Sequence, residues 1–200
     1  MGCWGITAFE SDAGLDAVDF IRKNLPENGQ LELGTIIEAI QRENCRLPDV
    51  QDAESHTSPM ALAEIVAKFL DGDVHSLDYN DEWAAKDNKF SAITSFTASK
   101  ESLLWLRNYV SDTLKFAKQN AELGEQYGRK WGGWFKEQDW IGWQEHMKSL
   151  VSRLNTLLTS PERVVELIPT QEQETRLITG QGEKQTDCPA TGINGQSMEL

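Results

Sequence analysis

The sequence predicts an all-α protein, a compact bundle of about five amphipathic helices followed by a disordered C-terminal tail. Two observations predict this class. Five separate segments carry apolar residues at steps of three and four positions, which is the spacing of one helical face. Beyond residue 168 the chain is rich in Gln, Thr, Glu and Gly, and so few apolar residues cannot offset the entropy lost on ordering. We therefore expect a single helical domain over 1–168 and a polar tail over 169–200.

The first three helices are recognised by their start and stop signals. Ser11 is a favourable N-cap for the first helix, and the second is expected over 32–44. The third helix is expected to begin with Ser58 as its N-cap and to end at Gly72. Residues 73–98 show no helical stripe, so this stretch is interpreted as a loop, with a short strand over 90–96 as the alternative.

The second half of the chain contains the two longest helices. Ser99 caps a helix expected over 100–123, and a further helix is expected over 140–159. The stretch PERVVELIP, residues 161–169, fits either a short helix or a strand. No internal repeat is visible along the chain.

Charge is unevenly distributed along the 200 residues, whose net charge is −13. Residues 1–98 hold 18 acidic and 7 basic residues, net −11, whereas residues 99–169 are close to neutral, with 9 acidic and 10 basic residues. An acidic first half repels nucleic acid and attracts basic partners. Solubility is a simpler explanation of the same charge.

The residue types that carry chemistry do not form a recognisable constellation. Cysteines and histidines lack metal-ligand spacing, and neither a nucleophile elbow nor a phosphate loop occurs. We therefore predict no catalytic residue, no metal site and no cofactor, and we interpret the histidines as solvated surface residues. These cysteines and histidines are Cys3, Cys45, Cys188, His56, His75 and His146.

Membrane attachment is not predicted. The N-terminus lacks the basic start and apolar run of a signal peptide, and no stretch reaches the roughly 18 apolar residues of a membrane span. Gly2 would suit myristoylation, but Ile6 stands where that motif needs Ser or Thr. We expect a cytoplasmic protein that binds neither membrane nor nucleic acid.

Two stretches are candidates for protein contact. In the first, Trp131, Trp134 and Phe135 alternate with basic residues, an arrangement that fits core packing, a protein-binding hot spot or stacking of single-stranded bases. The second is acidic and has the wrong spacing for a calcium loop, so solvated carboxylates or partner contacts explain it. Its residues are Asp71, Asp73, Asp78 and Asp81.

The opening sequence MGCWGITAFESDAG places a tryptophan among small residues. We expect Trp4 to insert into the bundle as a structural plug, with Phe9 packing at the start of the first helix. Glu10 and Asp12 are interpreted as acids that favour the positive end of the helix dipole. A carboxylate of raised pKa at these two positions is the alternative.

The same opening resembles a bacterial family catalogued as domain of unknown function 4259, whose members begin with Met-Gly-small-Trp-Gly followed by Phe and an acid. The stretches ALAEIVAKFLDG, NAELGEQYGRKW and WQEHMKSLVSRL resemble later parts of the family pattern, so the resemblance covers about residues 1–158. It implies a small bacterial cytoplasmic protein and carries no established chemistry. The N-terminal matches are Gly2, Trp4, Gly5, Phe9, Asp12, Ala13, Asp16 and Phe20.

Taken together, these features favour a non-catalytic acidic protein-interaction domain, and an immunity protein that neutralises a basic bacterial toxin is the specific hypothesis. An enzyme or regulatory module with an acidic site at Glu10 and Asp12 is the alternative. A homodimer formed through the Trp-rich edge is a third hypothesis.

Overall fold

This computed structural model describes residues 2–43, 46–78, 88–126 and 137–167, which contain five α-helices, three short strands and several short 3-10 helices. The helices are α1 (Asp12–Lys23), α2 (Leu33–Arg42), α3 (Ser58–Leu70), α4 (Lys100–Gln126) and α5 (Trp140–Leu158). The strands are β1 (Gln30–Glu32), β2 (Ser95–Ser99) and β3 (Val164–Glu166). The predicted all-α bundle of about five helices is confirmed as a mostly helical fold with five α-helices, and the small sheet is an addition to the prediction.

Two of the predicted helix caps form as expected. The Ser11 hydroxyl accepts a hydrogen bond from the Gly14 N–H at 3.0 Å, at the start of α1. The Ser99 hydroxyl accepts one from the Ser102 N–H at 3.1 Å, at the start of α4. Each bond satisfies one of the N–H groups that the first helical turn leaves without a partner.

The predicted cap of α3 is wrong by one residue. Thr57 is the extended residue before the helix, and its hydroxyl accepts a hydrogen bond from the Met60 N–H at 3.4 Å. Ser58 is already helical and buried. Both residue types cap helices well, so the sequence alone does not distinguish the two neighbours. Gly72 follows α3 with a φ of 71°, as its predicted role at the helix end requires.

The three strands form one sheet with the order β1–β2–β3. β1 and β2 are parallel, with Leu31 opposite Phe96, whereas β2 and β3 are antiparallel, with Ala98 opposite Val165. The loop predicted over 73–98 is therefore wrong for residues 95–98, which belong to β2. Strand β1 was not predicted. β3 selects the strand alternative for PERVVELIP.

Helix α3 lies at the centre of the core. Every residue from Ser58 to Val66 is buried, and α3 packs against α1, α2, α4 and α5. On α5, Trp143 is completely buried, and the sheet contributes Phe96 at 1% exposure. Glu64 is the one acidic or basic residue within this buried run of α3, and it takes part in the site described next.

Candidate functional site

The first residues of the chain fold back onto the start of α1. The Asp12 N–H donates to the Gly2 carbonyl at 3.0 Å, and the Trp4 N–H donates to the Glu10 carbonyl at 2.9 Å. The Gly2 N–H in turn donates to the Asp12 carboxylate at 2.6 Å. These bonds pair the segment around position 3 with the segment around position 11 as two short antiparallel stretches, which we call the N-terminal turn (residues 2–11).

The Glu10 carboxylate closes the N-terminal turn. One of its oxygens accepts the N–H groups of Ile6 and Thr7 at 3.0 and 3.1 Å and the Thr7 hydroxyl at 2.9 Å. The bond from the Thr7 backbone is the main reason why the pKa of Glu10 is lowered. The carboxylate occupies the space beside Gly5, where an added Cβ would lie 2.2 Å from the carboxyl carbon.

The alternative hypothesis of an acid–base site at Glu10 and Asp12 finds no support in the environment of Glu10. That hypothesis required a carboxylate of raised pKa, but the pKa of Glu10 is lowered. Both carboxylates bind backbone N–H groups of the N-terminal turn. Their role in the structure is therefore to fix the path of the backbone.

A second carboxylate, Glu64 of α3, holds the N-terminal turn from inside. The Ala8 N–H donates to both Glu64 oxygens, at 2.8 and 3.0 Å, and His146 Nε2 of α5 lies 2.6 Å from one of them. The Glu64 side chain is only 4% exposed. Gly14 allows α1 to lie close against the backbone of Ala8 in the N-terminal turn, because a Cβ at Gly14 would lie 1.7 Å from the Ala8 carbonyl oxygen. Glu64 thus connects the turn, α3 and α5.

Cys3 and His56 lie beside this connection. Cys3 Sγ is 3.5 Å from His56 Nε2 and 3.1 Å from the Gly5 carbonyl, to which the thiol donates. His56 is 2% exposed, and its φ of 63° is in the left-handed region. Burial, reinforced by the nearby charge of His146, lowers the pKa of His56 to about 4. A thiolate–imidazolium pair would need the protonated imidazole that this environment disfavours.

The interpretation of the histidines as solvated residues is wrong for two of the three. His56 is buried, and the His146 side chain is 20% exposed and paired with Glu64. His75 is exposed as predicted, with its Nδ1 2.8 Å from the Ser91 hydroxyl. Glu64 was not anticipated either, although a single charged residue on an otherwise apolar helix is a signal that could have revealed it.

The expected plug role of Trp4 is also wrong, because 53% of this residue is exposed. Cys3 packs against the core, and successive side chains of an extended segment point in opposite directions. The side chain of Trp4 therefore faces solvent. Phe9 packs against the core as expected, and Lys68 Nζ lies 5.3 Å from the centre of its ring.

A second exposed apolar side chain lies close to the N-terminal turn. Ile141, in the first turn of α5, is 62% exposed. Its neighbour Gly142 faces Ile6 of the N-terminal turn, because a Cβ at Gly142 would lie 3.6 Å from the Ile6 Cδ1 atom. Trp4 precedes Ile6 by two residues and Ile141 immediately precedes Gly142, so both exposed residues lie close in sequence to this contact between the turn and α5. We call this area the Trp4–Ile141 surface.

Three acids predicted to contact a partner form bonds within the chain. Asp71 accepts two hydrogen bonds from the Arg153 guanidinium, at 2.6 and 2.9 Å, and Asp73 pairs with Lys68 at 2.8 Å. Asp78 accepts two backbone N–H groups of the loop before β2, at 2.9 and 3.0 Å. These bonds give the three carboxylates a role within the fold. That they also contact a partner stays a prediction.

Several predicted features lie outside the described residues. They are Asp81, Trp131, Trp134, Phe135 and the tail over 169–200.

Within the described ranges, His, Cys, Asp and Glu side chains do not assemble in groups of three or more that could hold a metal ion. No helix in this part of the chain combines the length and apolar content that crossing a bilayer requires.

The described residues thus define a mostly helical domain whose N-terminal motif folds as a turn clamped to the core and exposes a tryptophan. The family described as "Domain of unknown function (DUF4259)" matches residues 2–137, and the chain belongs to it. No curated protein and no solved structure shows a significant match to the chain. The matched range includes the N-terminal turn and Glu64 and ends before α5.

Proposed function

We propose that this protein is a non-catalytic, acidic protein-interaction domain. The observation that carries the proposal is the exposure of Trp4. Gly5 and Glu10 of the same motif serve the N-terminal turn internally, whereas Trp4 leaves more than half of its surface in water. Tryptophan is enriched among residues that dominate binding energy, because it buries a large area on contact.

The charge of the chain supports a basic partner. The net charge is −13, and residues 1–98 account for −11 of it. An acidic protein attracts a basic one over long range, which raises the association rate at low salt. Within this class, the specific proposal is an immunity protein that neutralises a basic bacterial toxin.

The experiment compares the wild-type chain, Trp4→Ala, Trp4→Phe and Leu104→Ala as baits in quantitative affinity purification from the native host. Leu104 is another exposed apolar residue, 42% exposed, so its variant controls for the loss of a surface side chain. The proposal expects a basic protein that wild type, Trp4→Phe and Leu104→Ala retain, that Trp4→Ala loses, and that high salt releases.

A retained partner is then expressed alone and together with the wild-type chain. Growth arrest by the partner that co-expression relieves would support toxin neutralisation. Equal recovery of the same proteins by wild type and Trp4→Ala would contradict an interaction role for this tryptophan.

A further inference from the structure

We propose that Trp4 and Ile141 act together as one docking surface for a basic amphipathic segment of another protein, and that Glu64 holds the two halves of this surface in place. The inference rests on the proposed interaction function and adds to it the extent of the surface, the chemistry of the partner segment and a positioning residue.

The two halves come from distant parts of the sequence. Trp4 belongs to the N-terminal turn and Ile141 to the start of α5, and they are 53% and 62% exposed. The N-terminal turn and α5 touch where Ile6 faces Gly142. Isolated apolar residues on a surface are common, but a large aromatic and an aliphatic side chain near one contact form a patch suited to an apolar anchor.

Two exposed carboxylates are nearest to the Trp4–Ile141 surface, and the exposed Lys148 lies one helical turn beyond the second of them on α5. Asp12 lies on the neighbouring antiparallel stretch, two positions beyond the Glu10 carbonyl that binds the Trp4 N–H, and it is exposed. Glu145 is exposed one helical turn after Ile141 on the same face of α5. An apolar centre with carboxylates at its edge complements a segment that presents apolar side chains flanked by lysine or arginine.

The same charges disfavour a second copy of this chain as the occupant. In a two-fold symmetric dimer the same surface would meet itself, which would bring like carboxylates together. We therefore commit to a basic partner segment, and self-association becomes an outcome that the test can detect.

Glu64 joins the two halves by direct contacts. Its carboxylate accepts the Ala8 N–H of the N-terminal turn and lies 2.6 Å from His146 Nε2 of α5. Ala8 is two residues after Ile6, and His146 is one helical turn after Gly142. Because the Glu64 side chain is buried and cannot itself meet a partner, it acts through the residues it holds.

The test uses two synthetic peptides and the full chain. One peptide is an amphipathic helix of about 14 residues built from Lys and Leu, and its twin carries Glu in place of every Lys. Affinity is measured by fluorescence anisotropy of labelled peptide for wild type, Trp4→Ala, Ile141→Ala, the double variant and Leu104→Ala. None of these substitutions changes the charge of the protein, so general attraction to the basic peptide stays constant.

Leu104 is a suitable control because it is remote from the surface. It lies one turn after Lys100, whose N–H donates to the Arg163 carbonyl beside β3. β3 follows the C-terminal end of α5, and α5 has 19 residues, which span about 28 Å. Leu104 is therefore at the opposite end of α5 from Ile141.

The proposal expects the basic peptide to bind and the acidic twin not to bind. Trp4→Ala and Ile141→Ala should each weaken binding by about tenfold, and Leu104→Ala by less than about twofold. The double variant should lose less than the product of the two single losses, because the residues share one contact area. Unchanged affinity in Trp4→Ala and Ile141→Ala, or wild-type self-association abolished by Trp4→Ala, would overturn it.

Glu64→Gln tests the positioning role. This variant keeps an oxygen that can accept the Ala8 N–H but loses the charge that faces His146. If Glu64 aligns the halves, the affinity losses caused by Trp4→Ala and Ile141→Ala should simply multiply when Glu64→Gln is also present. If Glu64 has a purely structural role, the double variant should still lose less than the product, as it does with Glu64 in place. If only Ile141→Ala proves neutral, the single-surface inference fails while the interaction function that rests on Trp4 stands.

Discussion

Trp4 and Trp143 occupy opposite environments. Trp143 of α5 is 0% exposed and stacks on Trp140 with ring centres 5.5 Å apart, whereas Trp4 in the N-terminal turn is 53% exposed. Trp143 belongs to a stripe with helical spacing, and this periodicity predicts its burial. Trp4 has no periodic context, and only the alternation of an extended segment decides its direction. Residue type alone therefore predicts burial poorly.

The largest effect is expected for Trp143→Ala. Removing a fully buried large aromatic leaves a cavity and should lower the free energy of unfolding by about 3–5 kcal/mol. Urea denaturation of wild type and variant measures this loss, and Trp143→Phe should retain part of the stability. A loss below about 1 kcal/mol would mean that the surrounding core collapses onto the vacated space.

The next effect depends on pH and on His56. Its pKa is about 4 in the fold and about 6.5 when unfolded, so below pH 6.5 the unfolded chain binds a proton that the folded chain does not. The contribution of His56 to the free energy of unfolding is therefore complete above pH 6.5. It decreases as the pH falls towards 4, by about 3 kcal/mol in total. Urea denaturation at several pH values measures this decline.

A matched pair of variants isolates the contribution of His56. Asn tolerates the left-handed backbone of this position, so His56→Asn should flatten the decline of stability between pH 6.5 and 4 without adding strain. His75→Asn is the matched control, because it makes the same substitution at an exposed histidine. An identical pH dependence in wild type and His56→Asn would show that other groups cause it.

Glu64→Ala is expected to have a similar or slightly smaller effect. The buried Ala8 N–H would lose its acceptor, which should cost about 2–3 kcal/mol of folding free energy. Glu64→Gln should cost less, because its amide oxygen can still accept that bond. Thermal denaturation ranks the two variants, and equal stability of Glu64→Ala and wild type would show that water replaces the carboxylate.

Trp4→Ala should have the smallest effect on stability, less than about 1 kcal/mol, since the side chain is largely in water already. The measurement is the same urea denaturation used for Trp143→Ala, so the two tryptophans are compared directly. A loss near that of Trp143→Ala would remove the contrast between them and restore the plug interpretation of Trp4.

The helices could be predicted because their apolar stripes are local in sequence. The strands were at most left open as alternatives, as for β3, since three to five residues are too few to show alternation and each strand depends on a distant partner. In the sheet, Phe96 of β2 is fixed by Leu31 of β1, which no nearby residue indicates. The cap at Thr57 shows the same limit on a smaller scale, because two adjacent capping residues compete there.

Only some residues of the candidate site could be predicted, and its geometry could not. Glu10 and Asp12 stand out as acids near a helix start, but their bonds to the N-terminal turn depend on its folded path. The pair of Glu64 and His146 joins residues 82 positions apart. Such a contact arises from the packing of α3 against α5, which a single sequence does not encode in any local pattern.

The parallel pairing of β1 with β2 has a consequence for synthesis of the chain. Leu31 is 2% exposed in the fold, and its partner Phe96 follows 65 residues later. At about 5–20 residues per second, a ribosome needs roughly 3–13 s to add those residues. The hydrogen-bonding edge of β1 and the side chain of Leu31 therefore lack their β2 partner for seconds on each nascent chain, and the sheet can close only after that time.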